Sequence, residues 1–209
     1  LEQLPETKKR IEKVRINRLQ SSRDATKKLA NNPHLFGEIR QADSDYLIIP
    51  RVSSENRYYV PFGYISKDII VTDRCAFIPD ADLALFGVMT SSMHMVWMKA
   101  VCGRLKLDYN YSIQLVYNTF PFPNISQKQK DEITELVFAI LDEREKHSQK
   151  TLAQLYDPDK MPEGLKKAHH NLDIAIEQCY RSKPFESDEE RLEYLFKMYE
   201  EMTIQDGKK

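Results

Sequence analysis

Three polar side chains recur every second position in Leu105-Lys106-Leu107-Asp108-Tyr109-Asn110-Tyr111: Lys106, Asp108 and Asn110. On a β-strand that period sends all three to one face, with Leu107 and Tyr109 on the other. Each can address the edge of a nucleic-acid base. A lysine donates to guanine O6 and N7, an aspartate accepts from cytosine N4, and an asparagine bridges adenine N6 and N7. A Lys and an Asp about 7 Å apart along one strand would reach both bases of one G·C pair. Arg104, just upstream, would hold a phosphate. Any half-exposed strand shows the same alternation, so the pattern alone is a weak signal and a plain solvated edge is the commoner source of it.

No second chemistry competes with this one. The six glycines, Gly37, Gly63, Gly87, Gly103, Gly164 and Gly207, lie far apart and build no Gly-rich phosphate loop. Asn31-Asn32-Pro33-His34 lacks the second proline and the aromatic residue of the Asn-Pro-Pro-aromatic motif used by amino-methylating enzymes. His94 sits in an apolar helical segment and reads as a hydrogen-bonded core residue, while His169-His170 reads as surface. Cys75, Cys102 and Cys179 have neither metal-ligand nor disulfide spacing, which fits a reducing cytoplasm.

The elements that must position these residues come from a chain of 209 residues, long enough to bury a real core. Its net charge of -1 excludes a uniformly basic nucleic-acid binder, but the charge is uneven. Residues 1–112 carry 17 Lys/Arg against 13 Asp/Glu, and residues 113–209 carry 14 against 19. One anion-facing side is compatible with that polarity, as is a solvated helix. Leu83–Cys102 has membrane-spanning length, but Thr90, Ser91, Ser92, His94 and Lys99 interrupt it, so a buried segment is expected. The chain opens on Leu1 within charged helical sequence, which suggests a piece of a longer polypeptide.

Residues 5–30 predict one helix with Pro5 in its first turn and few apolar positions, a connecting element spanning residues 1–33. From Phe36 to Ile78 short β-type runs follow at Tyr46–Ile49, Arg57–Val60, Tyr64-Ile65 and Ile69–Val71, separated by turn residues. Asp80–Cys102 predicts two helical pieces broken near Gly87 and Thr90-Ser91-Ser92, with a serine capping the second. Met93, Trp97 and Val101 mark its buried face. The sheet is expected to resume over Leu105–Tyr111 and Ile113–Tyr117. Phe120-Pro121-Phe122-Pro123 then marks a hinge, followed by amphipathic helices from Ser126, around Leu165–Cys179, and from Ser187 with Glu190 as a capping box. The last few residues are expected to fray. The fold class is α+β: a twisted, mainly antiparallel sheet with packed helices over 34–123, then a small helical subdomain over 124–209.

Two longer runs carry a resemblance. FGVMTSSMHMVWMKAVCGRLKLDYNYSIQLVYNTFPFP, preceded by IIPRVSSENRYYVPFGY, resembles the target recognition domain of single-chain type IIL restriction–modification enzymes and related adenine-N6 DNA methyltransferases. It covers roughly residues 5–200, and the Ser-Ser-Met-His-Met, Gly-Arg-Leu-Lys and Tyr-Asn-x-Phe-Pro blocks are specific. The resemblance implies a DNA-reading module followed by a helical part, joined in the parent polypeptide to a methylase domain that uses S-adenosylmethionine. It also implies that the base-reading positions follow Gly-Arg-Leu, hence Lys106, Asp108 and Asn110. The family often has a basic residue where Asn110 stands and a small one where Leu107 stands, so Asn110 would read a different base.

The expected function is therefore recognition of double-stranded DNA by a non-catalytic part of a site-specific methyltransferase, with or without a nuclease domain in the parent. Arg104, Arg57, Ser54 and Glu55 would face the DNA backbone or groove, although Ser53–Tyr59 would equally suit a turn with a surface ion pair. No cofactor, metal or membrane is expected for this piece; its partners would be DNA and the methylase domain. A protein-interaction scaffold built on the acidic helical part is the other reading.

Overall fold

The computed structural model describes residues 4–206, without the side chains of residues 205 and 206; the expected fraying of the last residues falls outside them. The chain divides into two compact units, residues 1–41 and 42–209.

In the first unit the predicted single helix is interrupted. Helix α1 (Pro5–Leu19) starts on its proline as expected, and a short α2 (Asp24–Lys28) runs into a 3-10 turn, Leu29–Asn31. Ser21 and Ser22 sit at the break, where Ser21 Oγ accepts from the Arg23 amide at 3.2 Å. Such a local bond gives the backbone a non-helical option. Arg18 then ties the unit together by donating to the carbonyls of Leu29 (2.9 Å), Asn32 (3.1 Å) and Leu35 (2.8 Å).

Among the described residues the second unit holds six strands and six α-helices. β1 (Tyr46–Pro50) is the centre of an antiparallel sheet, flanked by β3 (Gly63–Ile65) and β4 (Cys75–Pro79). β2 (Val52–Ser53), β6 (Asp108–Asn110) and β5 (Gly103–Leu105) form a second antiparallel sheet in that order. Three predicted strands are absent. Arg57–Val60 is a loop and Ile69–Val71 is irregular, with Ile70 exposed; β-propensity becomes a strand only where tertiary pairing supports it. Ile113–Tyr117 closes as one π-helical turn rather than a strand.

Helices α3 (Leu83–Met89) and α4 (Ser92–Val101) match the predicted pair, but the break falls at Thr90-Ser91 and not at Gly87. Gly87 lies inside α3 because α5 (Gln127–Glu145) packs there: a Cβ on it would meet Ile133 Cγ2 at 2.6 Å and Val137 Cγ2 at 3.2 Å. The rest is helical: α6 (Leu152–Leu155), α7 (Glu163–Tyr180) and α8 (Asp188–Asp206). Ser126 with Gln129 makes a reciprocal capping box at α5. At α8 the Ser187 hydroxyl accepts from the Glu190 amide at 3.2 Å, but the Glu190 carboxylate returns to the Glu186 amide, one residue earlier than predicted.

Met93 and Trp97 are buried as expected. Trp97 packs edge-on against Phe120 and lies beside Phe196 and Tyr199 of α8, while its indole N–H donates to Thr119 at 3.3 Å. One core runs across Phe120–Pro123, with Phe120 inside it, and no helix or strand continues through the segment, which lies between the π-helical turn ending at Tyr117 and the start of α5 at Gln127. No helix among the described residues is long and apolar enough to cross a membrane.

Candidate nucleic-acid interface

The sheet β2–β6–β5 brings together the two stretches singled out in the sequence. β5 and β6 are the arms of a hairpin whose closing pair is Leu105–Asp108, so Lys106-Leu107 is its two-residue turn. Such turns need a positive φ at their first or at both central residues, and Lys106 supplies one with φ 58°. This overturns the expectation of one strand carrying Lys106, Asp108 and Asn110 in step. The period of two is interrupted at the turn and restarts in β6. Asp108 and Asn110 do share a face of β6, opposite buried Tyr109; Lys106 stands exposed at the hairpin end beside Leu107.

β2 continues the sheet, with Val52 opposite Asn110 and Ser53 opposite Tyr109. Cross-strand partners share a face, so Asn110 lies open between Val52 and Gly103. On the other side Arg104 lies over the Tyr109 ring, its guanidinium carbon 4.2 Å from the centroid. Arg104 Nη1 donates to the Leu107 carbonyl at 3.0 Å and to Glu55 at 3.4 Å. The arginine thus braces the turn and links it to the loop after β2. In that loop the Ser54 carbonyl accepts from the Arg57 amide at 3.3 Å, and Ser54 Oγ accepts from the Asn56 amide at 3.4 Å. Of the two readings of the segment, the turn with an ion pair is present, and the segment borders the hairpin. Arg57 is half-buried and donates to Ser53 Oγ and to the Ala153 carbonyl, both at 3.4 Å, which makes it an internal tie.

Behind this sheet runs a buried polar network that the sequence reading missed. His94 is buried and hydrogen-bonds Tyr111 Oη through Nε2 at 3.0 Å, as expected of a core histidine. His169 corrects the surface expectation: it is fully buried, stacks on Tyr59 with centroids 4.2 Å apart, and meets Tyr156 Oη at 2.7 Å. Arg144 Nε donates to the same hydroxyl at 2.9 Å and Nη1 to the Phe62 carbonyl at 2.9 Å. Asp173 accepts from the Tyr59 hydroxyl and from the Ser92 amide, each at 2.6 Å. Burial pushes the Asp173 carboxyl up to about 6 despite those donors. It pushes His94 and His169 down to about 3, with Arg144 adding to the effect on His169. Burial and the Asp173 charge raise the Tyr59 hydroxyl. The signal was available: Leu165, His169, Leu172 and Ile176 follow one helical face, so His169 shares the core side of α7.

Cys75, Cys102 and Cys179 are free and half-buried. Among the described residues no group of three or more His, Cys, Asp or Glu could hold a metal ion.

Residues 1–124 match the family model described as MmeI, target recognition domain. The chain belongs to the MmeI target recognition domain family. Residues 125–205 match the model for the MmeI C-terminal domain. DNA methyltransferase A of Bacillus subtilis (strain 168) is 47% identical over 199 residues, covering 95% of this chain and 22% of that protein. The solved structure of the type IIL restriction-modification enzyme MmeI in complex with DNA superposes with a TM-score of 0.89 at 43% identity, over 94% of this chain and 26% of that one. The chain thus spans about a quarter of the length of the relatives it matches.

Proposed function

We propose that this MmeI-type target recognition domain reads double-stranded DNA through the β5–β6 hairpin, within a longer bacterial polypeptide that methylates adenine N6. The observation that carries this reading is the hairpin itself. Its end presents Lys106 and Asp108, and Asn110 lies on the open face of the sheet that bears it. Lys106 and Asp108 address one G·C pair, and Asn110 a neighbouring base. Nη1 of Arg104 is committed to Leu107 and Glu55, and the rest of its fork is directed to a phosphate. Ser54 and Glu55 border the groove, while Arg57 holds their loop from within. The DNA complex of the MmeI relative and the methyltransferase name of the Bacillus relative support the assignment.

S-adenosylmethionine would belong to the methylase part of the longer polypeptide. The glycines here stand singly and build no cofactor loop, so the residues do not fit that group, and no step of methyl transfer is assigned to them. We place the whole in the bacterial cytoplasm, with DNA and its own methylase domain as partners, and assign this part no catalysis of its own.

Selection of bound duplexes from a random pool, with wild type and with the double variant Lys106→Asp, Asp108→Lys, tests the reading. Exchanging donor and acceptor should turn a preferred G·C pair at one position into C·G. Each single substitution should lose about 1–3 kcal/mol of discrimination there. An unchanged motif in the double variant would remove the hairpin as the reading element.

A further inference from the structure

We infer that Asp173 is a positioning residue: one buried carboxylate on α7 holds a chain segment that leaves the hairpin sheet and one that enters it, and so sets its attitude. The inference rests on the DNA-reading assignment for its consequence, but not for its geometry.

Two of the chain segments that join the sheet β2–β6–β5 meet on Asp173, one leaving the sheet and one entering it. The segment leaving β2 runs from Ser54 to Phe62, and the segment feeding β5 is helix α4, which ends at Val101, two residues before Gly103. Asp173 touches both. Its Oδ2 accepts the Tyr59 hydroxyl at 2.6 Å, within the first segment. Its Oδ1 accepts the Ser92 amide at 2.6 Å, the first amide of α4. That amide belongs to a helix whose own cap residue is occupied elsewhere: Ser91 Oγ donates to the Val88 carbonyl at 2.7 Å and caps nothing. A helix start leaves amides without intrahelical partners, and a carboxylate there is favoured by the helix dipole as well. Asp173 is therefore the N-terminal cap of α4, supplied from another helix.

The neighbouring bonds make the arrangement directional. Tyr59 is stacked on His169, one turn before Asp173 on α7, so ring and hydroxyl are fixed by the same helix. The segment is held at two further points, by Arg57 on the Ala153 carbonyl and by Arg144 on the Phe62 carbonyl. All three anchors lie in the C-terminal helical part. Of these anchors, Asp173 also reaches the second segment, at the start of α4. The hydrophobic core alone would tolerate small shifts of a helix along its axis, whereas two charge-assisted bonds to one carboxylate fix both segments relative to each other. The C-terminal helices are thus part of the reading apparatus and not a separate appendage.

Hydrogen exchange of the whole chain, read peptide by peptide, tests this with Tyr59→Phe and Asp173→Asn. Tyr59→Phe removes only the hydroxyl and leaves the cap on Ser92; Asp173→Asn keeps one acceptor oxygen for that amide. Tyr59→Phe should speed exchange about tenfold over residues 54–60 and in the hairpin 103–110, with residues 46–50, 63–65 and 75–79 unchanged. Asp173→Asn should do the same and add residues 92–95. Acceleration spread evenly over residues 42–206, or none in the hairpin, overturns the inference. Duplex selection on the same variants at a temperature where both are folded reads the consequence: the ratio of preferred to mismatched site should fall about tenfold, a change that loss of stability alone does not produce. If exchange changes as expected in a chain whose wild type selects no sequence, the positioning role stands and the DNA-reading assignment falls.

Discussion

Acidification should unfold this protein well before its carboxylates are all protonated, because two histidines are buried neutral. His94 and His169 titrate near 6.5 in the unfolded chain and are pushed down to about 3 in the fold. A base with a lowered folded pKa leaves the unfolded chain binding more protons, so stability is full above about pH 6.5 and falls as pH drops toward 3. At pH 5 each histidine then costs roughly 2 kcal/mol relative to neutral pH. Asp173 works in the other direction. Its folded pKa, raised to about 6 from 3.8, makes the folded state the better proton binder between those values. That returns roughly 1 kcal/mol at pH 5. The net loss is about 3 kcal/mol, a large share of the 5–15 kcal/mol that holds an ordinary domain together. Among the described residues neither Nδ1 atom has a hydrogen-bond partner, so protonation there finds no acceptor among them to offset the buried charge. Urea unfolding followed by tryptophan fluorescence between pH 7.5 and 4.5 measures the slope directly. His169→Gln should flatten it by about two-thirds, and Asp173→Asn should steepen it between pH 6 and 4. A midpoint that is constant or rises on going from pH 7 to pH 5 would refute the reasoning, as would NMR titration of either imidazole near 6.5.

Three other outcomes follow from packing and backbone geometry. Trp97→Ala should cost about 3–5 kcal/mol in denaturant unfolding, since it removes a buried indole lodged between α4, Phe120 and α8. Gly87→Ala should destabilise by about 1–2 kcal/mol in thermal melts: the clash with Ile133 in a tight core outweighs the roughly 1 kcal/mol that Ala gains as a helix former. Lys106→Gly should be more stable than Lys106→Ala by about 1 kcal/mol, because only glycine takes the left-handed turn conformation without a Cβ penalty; equal melting temperatures would remove that account of the turn.

What the sequence determined by itself is whatever depends on neighbours along the chain. The buried stripe of α4 with Met93 and Trp97, the caps at Ser126 and Ser187, and the proline start of α1 are all local in sequence and all present in the fold. The same holds for the alternation that puts Asp108 and Asn110 on one face of β6. What only the tertiary structure decided depends on partners far away. Whether Arg57–Val60 and Ile69–Val71 become strands turns on pairing set by the rest of the fold, and both are irregular instead. Gly87 reads as a breaker until α5 presses against it. Lys106 reads as a strand residue because Leu105 through Tyr111 alternates without a glycine or asparagine pair to announce a turn. The hairpin is closed instead by pairing with β2 and by Arg104 reaching across to Leu107, and the backbone yields at Lys106. Asp173 and Tyr59 stand 114 residues apart, and no local pattern predicts that one carboxylate will find a hydroxyl and a helix amide together. Burial leaves such polar groups no solvent to turn to, so their pairing is fixed only once the core has closed around them.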